Sequence, residues 1–141
     1  MKKLLLFLSA LILLNSCKLQ FEATYDAGIT ENALSARVYC HNLYDSILAD
    51  STKTYDKFKP TYATELVMLK NLEYQESLRP HGKILQDQAH RILNQFIVFQ
   101  SDHAVNVTLS PIIISGYQAL MDDLFRSYIT SQNSLENAKL K

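Results

Sequence analysis

The chain has 141 residues, of which 48% are apolar and 20% charged, and its 14 basic side chains balance its 14 acidic ones. A balanced charge, without a basic run interleaved with aromatic residues, argues against nucleic acid as a partner. Three glycines and three prolines are too few for a β fold with many turns, so long helices are favoured. This length suits one domain whose core needs no disulfide.

The start of the chain has the order of a secretion signal. Two lysines open it, residues 4–14 are almost wholly apolar, and Ser16 and Cys17 follow. A membrane-spanning helix needs about 18 or more apolar residues, which this run does not reach. We therefore predict a cleaved signal peptide over residues 1–16.

The segment Leu14-Asn15-Ser16-Cys17 resembles the lipobox of bacterial lipoproteins, which has an aliphatic residue three positions before the cysteine and a small residue directly before it. The resemblance implies that Cys17 carries lipid on its sulfur, with acyl chains such as palmitate, and that its new amine is acylated after cleavage. Two acyl chains already anchor a protein stably to a membrane. The alternative is an ordinary signal peptide cleaved near Ser16, with Cys17 a plain thiol or the partner of Cys40 in a disulfide.

The residues after Cys17 bear on the membrane and on the domain boundary. In lipoproteins of some Gram-negative bacteria, an aspartate directly after the cysteine retains the protein in the inner membrane, whereas this chain has Lys18. The resemblance therefore implies the outer membrane, and the lack of an acidic run after Cys17 implies its periplasmic face. Residues 17–28 show little pattern and are predicted to form a lipidated tether to a helical bundle domain over residues 29–141.

The first two predicted helices cover residues 30–57 and 61–78, separated at Pro60 because proline is disfavoured inside a helix. The polar run over residues 50–54 leaves an earlier end of the first helix open. Thr30 is the predicted N-cap of the first helix. Apolar residues at spacings of three and four mark a buried stripe on each helix. The stripe of the first helix is Ala33, Ala36, Cys40, Leu43 and Ile47, broadened by Leu34, Tyr44 and Leu48. That of the second helix is Tyr62, Leu66, Leu69 and Leu72, beside Ala63 and Val67, with Lys70, Glu73 and Glu76 outward.

Two further helices are predicted over residues 83–101 and 111–137, the last with Ser110 as its N-cap and proline at its first position. Residues 102–110, which include His103, alternate in polarity. A loop and a strand are both open there, and we interpret the segment as a loop that crosses the end of the bundle. The predicted stripe of the third helix is Leu85, Ala89, Ile92, Phe96 and Phe99, extended by Ile84, Leu93 and Ile97. That of the fourth is Ile113, Tyr117, Leu120, Leu124 and Tyr128, widened by Ile114, Met121, Phe125 and Ile129.

Four amphipathic helices with short connections predict an all-α fold, an antiparallel up-and-down four-helix bundle. Their polar residues do not assemble into a recognisable catalytic or metal site. Cys40 and His41 are adjacent, and adjacent residues on a helix do not face each other. Di-iron bundles use paired Glu-x-x-His motifs, whereas Asp87 and His90 form one such spacing, with the wrong acid, on a polar side.

The remaining reactive residues are interpreted as structural. Asp122 and Asp123 are neighbours that diverge on the fourth helix, so a solvated face is favoured over a carboxylate pair. His81 and His103 are predicted in connections at opposite ends of the bundle, where they cannot meet. We therefore expect no enzyme, no cofactor and no metal site.

Two functions remain as hypotheses. The first is a membrane-anchored adaptor or assembly module that binds another envelope protein. The second is a bundle that holds a small apolar molecule, which predicts a cavity near Cys40, Phe96 and Tyr117. Tyrosines at core edges are the default interpretation, but a cluster on one exposed side would favour a partner surface. The tyrosines within predicted helices are Tyr39, Tyr44, Tyr62, Tyr74, Tyr117 and Tyr128.

Overall fold

The structure, a computed structural model, describes residues 23–106 and 108–139. Within these residues it contains four helices and no strand, which confirms the predicted all-α four-helix bundle. The predicted signal peptide and Cys17 lie outside the described residues. The helices are α1, Ala27–Ala49; α2, Tyr55–Ser77; α3, Lys83–Asn106; and α4, Pro111–Lys139.

Each helix packs against two neighbours. Helix α1 contacts α2 and α4, and α3 contacts the same two helices, so that the four surround one core. Asn32 near the start of α1 donates to Gln75 near the end of α2. Cys40, farther along α1, donates to Glu65, which precedes Gln75 in α2. Residue numbers therefore run in opposite senses along this pair of neighbours.

The first helix ends at the polar run over residues 50–54, the earlier of the two ends that the sequence left open, and not at Pro60. Asp50 ends α1, and its carboxylate accepts hydrogen bonds from the backbone of Thr52 and Lys53 at 2.7 and 3.0 Å. Lys53 then adopts a positive φ of 49°, which a helix cannot continue. Pro60 accordingly lies inside α2 rather than at its boundary.

Side chains of Asp26 and Ser110 cap the first turns of α1 and α4. Asp26 caps α1, because its side chain accepts from the backbone of Ile29 at 3.1 Å, so the prediction of Thr30 as the cap is wrong. Thr30 instead donates its hydroxyl to the Asp26 carbonyl from within the first turn. Ser110 accepts from the backbone of Ile113 at 3.4 Å, which confirms the predicted cap of α4.

The core confirms the main stripes of α1 and α3 in full and corrects other positions. Every residue of those two stripes is buried, whereas several residues predicted to broaden the stripes are exposed, and Glu76, predicted outward, is buried. The stripe of α4 is shifted by about one residue, because its first turn is apolar on all sides. The exposed residues among those predicted to broaden the stripes are Leu34, Ala63, Val67, Ile84 and Ile97, and those of the predicted α4 stripe are Ile113 and Leu120. The buried residues of α4 are Ile114, Met121, Phe125, Tyr128 and Gln132.

Residues 102–106 correct the interpretation of a crossing loop. They continue α3 as far as Asn106, and His103 is completely buried within it. The connection to α4 is correspondingly short. The alternating polarity of residues 102–110 suggested a loop or a strand. Phe96, Phe99 and His103 nevertheless follow the helical spacing of three and four, and the helix continues through His103.

Candidate functional site

The two adjacent residues Cys40 and His41 point to different surroundings, as predicted. Cys40 is 1% exposed and is a free thiol, whereas the His41 side chain is 48% exposed. His41 lies 3.4 Å from Asp45 on its own helix and 3.6 Å from Asp122 of α4. Cys40 and His41 therefore form no nucleophile–base pair. Cys17, the predicted lipidation site, lies outside the described residues.

Cys40 belongs instead to a buried polar cluster between α1 and α2. Its Sγ donates to Glu65 Oε1 at 3.1 Å, and Glu65 is itself 1% exposed. Among the described residues, neither Glu65 Oε2 nor the buried Tyr44 hydroxyl has a hydrogen-bond partner. Buried polar atoms without partners are rare and costly, so a cluster with two of them is an unusual arrangement in a core.

Burial controls the protonation of this cluster. It raises the pKa of Glu65 from 4.5 to about 7, although the hydrogen bond from Cys40 opposes the rise. Burial, followed by the charge of Glu65, raises the pKa of the Cys40 thiol well above 9.0. A nucleophilic cysteine needs its thiolate, so Cys40 acts here as a hydrogen-bond donor.

A solvent-open groove of about 260 Å³ reaches this cluster from the surface. It is lined by Tyr39 of α1 and by Pro60, Thr61, Thr64 and Glu65 of α2. We call it the Glu65 groove. Tyr39 is 52% exposed and forms an open aromatic edge of the groove, whereas Glu65 is almost inaccessible and is its most deeply buried lining residue.

A second groove, of about 280 Å³, lies on the other side of α1, towards α4. Apolar side chains of Leu34 and Val38 line it together with Arg37 and Asp122, whose Nε and Oδ1 atoms are 3.1 Å apart. Asp123 pairs instead with a residue of its own helix, at 3.2 Å. The two neighbouring aspartates therefore diverge as predicted.

The other buried carboxylate, Glu76, is fully paired. Arg79 Nη1 donates to both of its oxygens, at 2.8 and 2.9 Å, and the side chains are 7% and 0% exposed. Gln132 Nε2 donates to Glu76 at 2.5 Å, and the Tyr128 hydroxyl donates to it as well. Arg79 also donates to the Thr24 carbonyl. This network joins the segment before α1 to α2 and α4.

His103 is completely buried, and both of its ring nitrogens have hydrogen-bond partners. Its Nε2 lies 2.6 Å from the carbonyl oxygen of Lys53, which can only accept, and its Nδ1 lies 2.8 Å from the Tyr62 hydroxyl. From these partners we assign the Nε2–H tautomer, with Nδ1 accepting. The ring also packs against Phe99. His81 follows α2, whereas Lys53 precedes it, so the two histidines remain at opposite ends.

No group of three or more potential metal ligands occurs among the described residues. His90 faces Glu73 across the α2–α3 interface at 2.5 Å, and Asp87 accepts from Lys83 on its own helix. The spacing of Asp87 and His90 therefore does not bring their side chains together at one site.

The crevice beside Cys40 has no room for an apolar ligand. It is lined by Tyr44, Met121 and Phe125 among others and cannot hold a water molecule. Phe96 is completely buried and packs against Tyr62, with ring centroids 5.6 Å apart. This filled interior argues against the cavity that the ligand-binding hypothesis predicts there.

Four buried polar residues were missed by the sequence reasoning, although each follows a helical spacing. Glu65 lies three residues after Tyr62, and each of the others lies four residues after a core residue. Their polar character concealed them in stripes chosen by apolarity. The others are Glu76 after Leu72, His103 after Phe99, and Gln132 after Tyr128.

Compared with known proteins, the chain matches no family model, no curated protein and no solved structure. Within the residues that the structure describes, no helix has the length and apolar character needed to cross a membrane.

Proposed function

We propose that this protein is a membrane-anchored helical lipoprotein of the bacterial cell envelope, and that its bundle acts as a protein-binding or assembly module without enzymatic activity. The observation that carries the binding role is the outward surface of α1. Leu34, Val38 and Tyr39 are 44%, 57% and 52% exposed there. We call these three residues the α1 face.

The α1 face has the composition of a protein interface. Its apolar and aromatic side chains lie between the two grooves, because Leu34 and Val38 line one groove and Tyr39 lines the other. Charged groups border it at Arg37 and Asp122, which form an ion pair. An aromatic and aliphatic centre with a polar rim is typical of surfaces that bind other proteins.

The membrane anchor in this proposal is supported by the lipobox resemblance at Cys17 and by Lys18. The described residues begin at Ala23, six positions after Cys17. Six residues span at most about 20 Å when extended, so a lipid on Cys17 would keep the bundle close to the membrane surface. We propose the periplasmic face of the outer membrane, with another envelope protein as the partner.

Site-specific photo-crosslinking in cells tests the binding role. A photoreactive residue at Val38 is expected to give one discrete adduct, which the added substitution Leu34→Glu abolishes. The matched control is the same residue at Val105, which is 77% exposed on α3 and should give no such adduct. Equal crosslinking at both positions would show that the α1 face is not a binding surface.

The anchor is tested separately by mass spectrometry of the mature N-terminal peptide. The expected result is acyl mass on Cys17, and loss of membrane association in the Cys17→Ala variant. A Cys17 without acyl mass, in a protein recovered from the soluble fraction, would contradict the anchor while leaving the binding test unaffected.

A further inference from the structure

We propose that the Glu65 groove binds an alkylammonium group, supplied by a lysine side chain of the protein partner. The assignment of the lysine to a protein partner depends on the proposed function. The ammonium site itself depends only on the groove and on Glu65.

Glu65, a lining residue of the groove, is a buried carboxyl group without a paired cation among the described residues. Glu65 Oε1 accepts from the Cys40 thiol at 3.1 Å, and Oε2 has no hydrogen-bond partner among the described residues. Glu76, the other buried carboxylate of the core, has Arg79 bound to both oxygens. Buried carboxyl groups are either paired in this way or kept neutral, because an unpaired buried charge is costly.

The walls of the groove also favour a cationic donor. The Tyr39 ring is half exposed at the open edge, where it can lie against a cation. The Thr64 hydroxyl donates its hydrogen to the Pro60 carbonyl at 3.1 Å, so its oxygen is left as an acceptor. An ammonium group carries three donors and no acceptor, which matches this set of acceptors. An anion would instead be repelled by Glu65.

The position of the groove links this site to the α1 face. Tyr39 belongs to both surfaces, so a partner that covers Val38 and Tyr39 can extend a side chain over the same edge towards Glu65. The volume of about 260 Å³ is open to solvent and admits a flexible side chain from outside. The ammonium group would then give the carboxylate the opposite charge that it lacks.

The probe for this site is n-butylammonium, with n-butanol as the uncharged control of the same chain length. Both are titrated into the full mature protein in detergent micelles while the methyl signals of Thr61 and Thr64 are followed by NMR. The variant Glu65→Gln removes the charge with little change of shape, and Glu31→Gln is the matched change at an exposed position of α1. Tyr39→Leu is a second variant, placed at the surface where folding is not at risk.

We expect saturable shifts with n-butylammonium and none with n-butanol. The dissociation constant should rise at least tenfold in Glu65→Gln, about threefold in Tyr39→Leu, and not at all in Glu31→Gln. Equal responses to the two probes, or unchanged binding in Glu65→Gln with a wild-type circular dichroism spectrum, would overturn the proposal.

Two further outcomes separate this proposal from the proposed function. A polyamine that binds more than tenfold tighter than a lysine-containing peptide with a free side-chain ammonium and an acetylated N-terminus would make a small molecule the ligand and overturn the lysine assignment. Binding of n-butylammonium together with failed crosslinking at Val38 would contradict the protein-binding role and the partner lysine that depends on it, and would leave the ammonium site standing. Crosslinking without n-butylammonium binding would contradict this inference alone.

Discussion

The charge state of Glu65 makes the stability of the protein depend on pH. Burial raises the pKa of this carboxyl from 4.5 to about 7, because the folded core disfavours its charged form. At 1.36 kcal/mol for each pKa unit, this difference corresponds to roughly 3 kcal/mol. The folded protein binds this proton more tightly than the unfolded chain does. The stabilisation is therefore complete below about pH 4.5 and is lost as the pH rises to about 7.

The comparison of wild type with Glu65→Gln isolates this effect. Other titrating groups change the stability of both proteins alike, so they cancel in the difference of their unfolding free energies. Between pH 5 and pH 8, the wild type should lose roughly 2 to 3 kcal/mol relative to the variant.

Urea unfolding followed by far-ultraviolet circular dichroism, at unit steps of pH, measures that difference. Glu31→Gln, at an exposed position of α1, serves as the control and should run parallel to the wild type. A difference between wild type and Glu65→Gln that stays constant over this range would refute the reasoning, because it would mean that Glu65 ionises in the core without penalty.

Two other buried polar contacts give predictions for the same unfolding assay. Tyr62→Phe removes the donor to His103 Nδ1 and should cost about 1–3 kcal/mol, because a buried acceptor loses its partner; a loss below about 0.5 kcal/mol would contradict the assigned tautomer. Arg79→Ala leaves Glu76 buried without its cation and should cost about 3–5 kcal/mol. Arg126→Ala, which removes a pair exposed on both sides, should cost less than about 1 kcal/mol, and equal losses in the two arginine variants would rule out the buried pair.

The four helices could be predicted because apolar spacing and cap residues agree over long stretches. The stripes of α1 and α3 were correct because each has apolar residues on one clear side. In α4, Ile112, Ile113 and Ile114 are consecutive, so periodicity alone cannot select the buried side, and only Ile114 is buried. Tertiary packing makes that selection.

The α1–α2 boundary and the candidate site depend on contacts that apolar spacing in the sequence does not reveal. Proline at position 60 suggested a helix boundary, but the chain turns at Asp50, whose carboxylate bonds to the backbone that follows. The Glu65 site depends on the approach of α1 to α2. Nothing near Glu65 in the sequence distinguishes it from an outward glutamate, since its partner Cys40 is 25 positions away.

The contact between Arg79 and the Thr24 carbonyl has a mechanical consequence. A force applied to the chain ahead of Ala23 reaches this bond before it can unwind the first turn of α1. Because Arg79 is also bound to Glu76 and Gln132, the load passes into α2 and α4 together. The bundle would thus resist traction at its N-terminal side as a unit, because α2 and α4 share the load that α1 would otherwise bear alone.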